Sequence, residues 1–331
     1  MTDIGEMLAR VREEADAKSS WEGDVELADG HRRYVRAFGT GSEVIVGLHG
    51  GPGGNHEALL PLARIAGEEI KVILYDQLGG GGSSRPDDDS LWTMEHFVAE
   101  LAGICDVLAL EGVHLLGHGW GGMLALECAL AAPQQVRSLI LCDSAPSTKA
   151  AQEGYAEILA AASPRIRAAA ATGDEFDPRE QAAAAGDDLT GLYAAHVRRC
   201  HPFEPERSKR EFIELFDELF PDIGPAYGVM WGSNEFVPDG NLRDWSAVER
   251  LGEIAVPALV MCGAHDQMTP ERCGRPLVEG LADARWLIFG QSSAMLFHEV
   301  EADLALASIA AFVASRLGGG RAVQLLDEEW R

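Results

Sequence analysis

The run Val113-His114-Leu115-Leu116 passes directly into Gly117-His118-Gly119-Trp120-Gly121-Gly122, and that into Met123-Leu124-Ala125-Leu126-Glu127-Cys128-Ala129-Leu130. The first segment reads as a buried strand, the glycine cluster as a sharp turn, and the last as a helix. A strand that feeds a helix with no loop between them is half of a crossover unit. Such units belong to parallel sheets, whose neighbouring strands need a long return connection. The stretch therefore commits the chain to alternating strands and helices around a mostly parallel sheet.

The rest of the chain keeps that alternation. Residues 1–17 predict an exposed amphipathic helix ahead of the main body, and 23–27 with 31–38, split by Asp29-Gly30, predict a hairpin. Strands are expected over 43–48, 71–75, 136–142, 255–262 and 284–289, with helices over 57–66, 92–110, 271–281 and 302–317. Between Pro146 and Tyr227 the strand signals stop, and alanine-rich helical runs take over at 149–171, 180–199 and 208–219. This divides the chain into a first core segment (1–145), an inserted helical cap (146–232) and a second core segment (233–331), with helices on both faces of the sheet.

Composition narrows the partners. The 331 residues carry a formal charge of −26, which repels nucleic acid and anionic membrane surfaces and leaves a small molecule as the expected partner. The first eighteen residues are charged along their length, and no apolar run approaches membrane-spanning length, so a cytoplasmic protein is expected. Six cysteines are scattered with no C-x-x-C pair, consistent with buried thiols rather than a metal site. The expectation is no cofactor and no metal; the oligomeric state is open. The turn Gly79-Gly80-Gly81-Gly82 lacks the lysine and helix start of a phosphate-binding loop and reads as a flexible loop.

Several motifs together resemble one family. His49-Gly50-Gly51-Pro52-Gly53, Tyr75-Asp76-Gln77-Leu78-Gly79, Trp231-Gly232-Ser233-Asn234-Glu235-Phe236 and Asn241-Leu242-Arg243-Asp244-Trp245 stand in the order and spacing of the proline iminopeptidase branch of the α/β-hydrolase superfamily. The resemblance runs from about Gly23 to Leu317 and implies the α/β-hydrolase fold with an inserted cap. In such enzymes a serine in G-x-S-x-G attacks a carbonyl, a histidine relays its proton, and a carboxylate orients the histidine.

The resemblance also marks three departures. Gly119 stands where it implies the serine, and Ala294, in Gln291-Ser292-Ser293-Ala294-Met295, stands where it implies the histidine. Asp266 matches the acid, and the N–H groups of Gly51 and Trp120 match the oxyanion donors. Gly50 and Trp231 fall in the substrate region. Of two acidic residues that the resemblance assigns to a substrate amine, Glu235 is kept and the other position is Gln267. His298, four residues beyond Ala294, and His265, beside Asp266, are candidate substitute bases, whereas His118 is expected to pack under the turn.

Three functions stay open. The first is a non-hydrolytic enzyme (lyase, cyclase, isomerase or condensing catalyst) acting on a small carbonyl- or amide-bearing, amine-containing molecule through Asp266 and the oxyanion donors. The second is a catalytically inactive ligand-binding or regulatory protein. The third is an amide hydrolase inactivated by engineered changes.

Overall fold

The computed structural model describes residues 4–161, 219–220, 224–232, 238–266 and 268–315. Eight strands among them form one sheet: β1 (Ser19–Glu26), β2 (Arg32–Phe38), β3 (Glu43–Leu48), β4 (Ile70–Tyr75), β5 (Val113–His118), β6 (Val136–Cys142), β7 (Ala258–Gly263) and β8 (Ala284–Phe289). The spatial order is β1-β2-β4-β3-β5-β6-β7-β8. The β1–β2 hairpin and the β2–β4 pair are antiparallel, and every later pair is parallel.

The strands are near-continuous apolar runs because both faces of the sheet are covered. Val46, Leu48, Leu115, Leu139, Leu141 and Val260 pack on one face with Leu101, Ile104, Leu124 and Leu126. Ile45, Leu116, Ile140, Cys142, Leu259 and Met261 pack on the other with Leu59, Leu62, Ile309 and Phe312. Period-two alternation along each strand divides its residues between the two cores. The first core takes α2 (Met94–Val107) and α3 (Trp120–Ala131); the second takes α1 (Ile4–Asp16) and the Ala302–Ala314 helix.

Three local readings differ from expectation. Residues 56–65 form a 3-10 helix rather than an α-helix, because Pro61 inside it has no N–H and crowds the preceding turn. The amino-terminal helix α1 is docked rather than exposed: Leu8 and Ala15 are buried, and Arg12 Nε lies 2.9 Å from Glu57. The Gly79–Gly82 turn is held rather than flexible. Asp76 Oδ2 accepts from Gly82 N at 2.7 Å, while Asp76 Oδ1 accepts from His56 N at 2.7 Å.

The insertion leaves the sheet after β6 and returns before β7. Its two ends are tied together by a bridge between Ser147 and Ser246 and by Thr148 Oγ1 donating to Leu242 O at 2.6 Å. The α4 helix (Thr148–Ala161) and a short helix, α5 (Gly224–Met230), belong to it. The helix expected over 180–199 lies outside the described residues, as does most of that over 208–219. No helix among the described residues is long and apolar enough to cross a membrane.

Candidate active site

The sheet order places β3 between β4 and β5, so the connections diverge at the carboxyl ends of β3 and β5. Open α/β sheets bind ligands at such switch points. The loop after β3 and the turn after β5 meet there: a methyl group added at Gly50 would lie 3.4 Å from His118 Nδ1.

Gly119 forms the turn between β5 and α3 with φ 55 and ψ −118. Only glycine adopts this backbone without strain. Two residues on, a side chain at Gly121 would run into the carbonyl of Leu48, so α3 starts hard against β3. Among the described residues, in contrast, a Cβ at Gly119 would meet nothing nearer than Asp143 O at 3.9 Å. The turn thus presents its central residue away from the packed core of the sheet. Trp120 begins α3, so its N–H has no carbonyl within the helix to bond and points out of the helix end.

The loop after β3 is wired to α3. Gln77 N donates to His49 Nε2 at 3.0 Å, and Gln77 Nε2 donates to His49 O at 3.1 Å. Gln77 Oε1 accepts the indole N–H of Trp120 at 2.9 Å. Because His49 Nε2 is an acceptor here, Nδ1 carries the hydrogen and donates to Gly50 O at 2.8 Å. Burial lowers the pKa of His49 and keeps it neutral in this role. From the insertion, Trp231 Nε1 donates to Gly51 O at 2.9 Å.

Asp266 is 2% exposed, just past β7. Its Oδ1 accepts from Met268 N at 2.8 Å and Thr269 N at 3.1 Å, and its Oδ2 accepts from Thr269 Oγ1 at 2.6 Å. Burial raises its pKa against the pull of these three bonds. Two further carboxyls come close enough to interact. Asp143 follows β6 with φ 46; its Oδ1 accepts from Gly263 N at 3.2 Å and its buried Oδ2 has no partner. Glu299 accepts from the N–H and hydroxyl of Ser293 and from Met295 N at 3.3 Å. Burial, then the charges of Asp266 and Glu299, push the Asp143 carboxyl well above its usual range. Among the described residues no group of His, Cys, Asp or Glu is arranged to hold a metal ion.

A family model for the α/β-hydrolase fold matches residues 43–299. The proline iminopeptidase of Lactiplantibacillus plantarum is 35% identical over 281 residues, covering 81% of this chain and 92% of that protein. The chain belongs to the proline iminopeptidase family of α/β hydrolases. The enzyme of that name from Heyndrickxia coagulans is likewise 35% identical, over 76% of this chain and 84% of its own. Among solved structures, proline iminopeptidase from Mycobacterium smegmatis superposes with a TM-score of 0.69 at 30% identity, covering 89% of this chain and 98% of that one. VinJ superposes with a TM-score of 0.70 at 28% identity, covering 90% and 100%.

Within this iminopeptidase fold the sequence-derived site residues are distributed as follows. Gly50 lies against His118, the residue before Gly119 and Trp120, and Trp231 bonds to Gly51. The carbonyl of Ala294 accepts from His118 Nε2 at 2.8 Å, so the Ala294 loop abuts the residue preceding Gly119. His298 Nε2 donates to Ala58 O at 3.0 Å, and burial lowers its pKa to about 4. His265 Nε2 donates to Gly290 O at 3.1 Å. Glu235 and Gln267 lie outside the described residues. Sequence reasoning missed Asp143 and Glu299. The signal for Asp143 was available: like Asp266, it is an aspartate at the carboxyl end of an apolar strand.

A Ser–His–Glu relay does exist elsewhere. Ser138 Oγ lies 2.7 Å from His114 Nδ1, and His114 Nε2 lies 2.9 Å from Glu43 Oε2. All three sit at the amino ends of β6, β5 and β3, opposite the switch point, and Ser138 and His114 are wholly buried. With Arg137 donating to both oxygens of Glu43, this network ties three strands together.

Proposed function

We propose that this iminopeptidase-fold protein carries Gly119 at the nucleophile position and Ala294 at the histidine position. In this reading it works as a cofactor-free, non-hydrolytic enzyme on a small carbonyl- or amide-bearing molecule. The observation that carries the reading is the turn itself. Gly119 holds a backbone conformation suited to presenting a nucleophile, with no atom of the described residues nearer than 3.9 Å to an added Cβ and no side chain of its own. Beside it the Trp120 N–H is free of helix bonding and serves, with Gly51, to stabilise negative charge on a substrate oxygen. A chain with neither a hydroxyl at 119 nor an imidazole at 294 has no group to form or resolve an acyl-enzyme. What it retains is charge stabilisation next to buried carboxyls, among them Asp266, whose pKa values burial raises. Those are the requirements of isomerase, lyase, cyclase or condensation chemistry. Glu235 is assigned to a substrate amine.

The saturation of Asp266 by its own loop favours a second reading, a ligand-binding protein in which Asp266 shapes the loop and no reaction follows.

The test has two parts. The wild-type chain is expected to resist labelling by a serine-directed fluorophosphonate and to leave L-proline p-nitroanilide intact, whereas Gly119→Ser combined with Ala294→His hydrolyses it. Labelling or hydrolysis by the wild type refutes the reading. Asp266→Asn then separates enzyme from receptor: it removes turnover of a co-purifying substrate in the first case and leaves ligand retention intact in the second.

A further inference from the structure

On the flank of the sheet covered by α2 and α3, a cavity of about 760 Å³ opens between the two helices. Its floor is apolar: Leu101 and Cys105 of α2, Cys128 of α3, and Val113 and Leu115 of β5 are all buried. It reaches the amino ends of β5 and β6 at Val113 and Val136, whereas Gly51, Gly119 and Trp120 lie beyond the carboxyl ends of β3 and β5. The space exists because short side chains line the seam, Ala99 and Ala102 on one helix and Ala131 on the other. Small-molecule sites span about 300–1,000 Å³, so this one has room for a ligand of ordinary size.

One wall comes from the segment that follows the insertion. Trp245 Nε1 donates to Glu127 Oε1 at 2.8 Å, which fixes the indole at the cavity. Arg250 donates to the same carboxylate through Nη1 at 3.0 Å and Nη2 at 2.5 Å, and Nη2 also donates to Ser246 O at 3.1 Å. The guanidinium fork is therefore filled by Glu127, and an anionic ligand would have to break that pair. The bond to Glu127, and beyond it the charge of Glu253, raise the pKa of Arg250, so Glu253 lies near it. Glu253 and Glu95 are exposed at the rim. Three carboxylates against one guanidinium leave the lining negative, in a chain whose formal charge is −26. Carboxylates and an indole bordering an apolar floor favour an organic cation, attracted by charge and by the aromatic ring.

We propose that this cavity is a second binding site, separate from the switch point, for a small organic amine with an aryl or alkyl body. The ammonium group meets the carboxylates at the rim, and the apolar body covers Cys105, Leu115 and Cys128. Burying that body removes apolar surface of both partners from water, while the ammonium stays at the wet edge and keeps part of its hydration. The site does not depend on the reading of Gly119 and Ala294, because neither residue lines it.

The probe is phenylbutylamine, compared by calorimetry with phenylbutanol and phenylbutyrate, which share its apolar body and carry no charge and a negative charge. The amine is expected to bind about fivefold tighter than the alcohol, the worth of one partly screened ion pair, and the acid to bind weakest. Nitrogen-15 NMR locates the site. Saturation with the amine shifts the indole signal of Trp245, which is assigned by its loss in Trp245→Phe. Ala102→Phe places a ring in the cavity and is expected to abolish binding at Trp245. Glu253→Gln alters only an exposed side chain, so the fold is kept, and it narrows the preference for amine over alcohol. Phenylbutyrate binding as tightly as the amine, or an amine no tighter than the alcohol, overturns the proposal. A shift of the Trp120 or Trp231 indole signal with Trp245 unmoved places the amine at the switch point instead and overturns it too. So does a Trp245 signal that none of the three probes moves, or an amine affinity unchanged in both Ala102→Phe and Glu253→Gln.

Discussion

The indole N–H of Trp231 donates to the carbonyl of Gly51 at 2.9 Å, linking the insertion to the loop after β3 across 180 residues of sequence. Trp231 is 3% exposed, so the bond is sheltered from water and fixes the orientation of the peptide that follows Gly51. Trp231→Phe keeps most of the ring volume and removes the donor. The expected cost is about 1 kcal/mol in urea unfolding, the net value of one sheltered hydrogen bond. A variant as stable as wild type would mean that this contact does not hold the loop.

The turn at Gly119 makes a second prediction about strain rather than space. Gly119→Ala introduces a methyl group that meets no atom of the described residues nearer than Asp143 O, so it clashes with none of them. The positive φ remains, and for a residue with a Cβ that conformation costs about 1–3 kcal/mol. Urea unfolding of Gly119→Ala is expected to fall in that range with an unchanged m-value. Failure to fold would show that the space above the turn is occupied.

The carboxyl group at Asp143 governs the alkaline side of stability. Its folded pKa is raised by burial and by Asp266 and Glu299. A raised acid contributes stability fully below its unfolded value near 3.8 and loses it as pH rises through the folded value. Asp143→Asn keeps an oxygen to accept from Gly263 N and cannot ionise. The variant is therefore expected to gain stability over wild type as pH rises above about 4, with the difference vanishing below that pH. Urea midpoints measured across pH check the sign. A variant less stable than wild type at pH 8 would mean that Asp143 is held as the anion.

Fold and site differ in how far they can be read from residues alone. The strands were legible because burial on both faces makes them unbroken apolar runs, as at Val44-Ile45-Val46 and Leu139-Ile140-Leu141. The 3-10 helix at 56–65 was misread because its apolar spacing suits an α-helix and one residue, Pro61, decides otherwise. The Gly79–Gly82 turn looked loose because composition does not reveal that Asp76, three residues upstream, anchors it through Oδ2 while its Oδ1 holds His56. Gly50, Gly51, Gly119 and Trp120 could be named as candidates because each lies in a contiguous motif. The grouping of Asp143, Asp266 and Glu299 could not, since it is the side-by-side pairing of β6, β7 and β8 that brings the segments after them together. The direction of the His118 ring was equally hidden, being set by a carbonyl 176 residues away.

Gln77 joins the two elements assigned to charge stabilisation, and its loss is expected to loosen both. Its side-chain oxygen takes the Trp120 indole N–H, its side-chain nitrogen donates to His49 O, and its backbone N–H fixes the His49 tautomer. The turn that carries it is anchored in turn by Glu100, whose Oε2 accepts from Leu78 N at 3.0 Å and from Arg33 Nε at 2.5 Å. Gln77→Met preserves length and apolar volume but leaves a buried donor on Trp120 and a buried acceptor on His49 without partners. Each such orphan costs about 1–3 kcal/mol, so the variant is expected to lose about 2 kcal/mol or more in urea unfolding. Gln77→Glu discriminates between hydrogen bonding and shape. A carboxylate still accepts from Trp120 but faces the His49 carbonyl with like partial charge, so it is expected to destabilise further as pH rises and the side chain ionises. Equal stability of the two variants at all pH values would mean that the bond to Trp120 carries no weight and that the loop is held by the backbone alone.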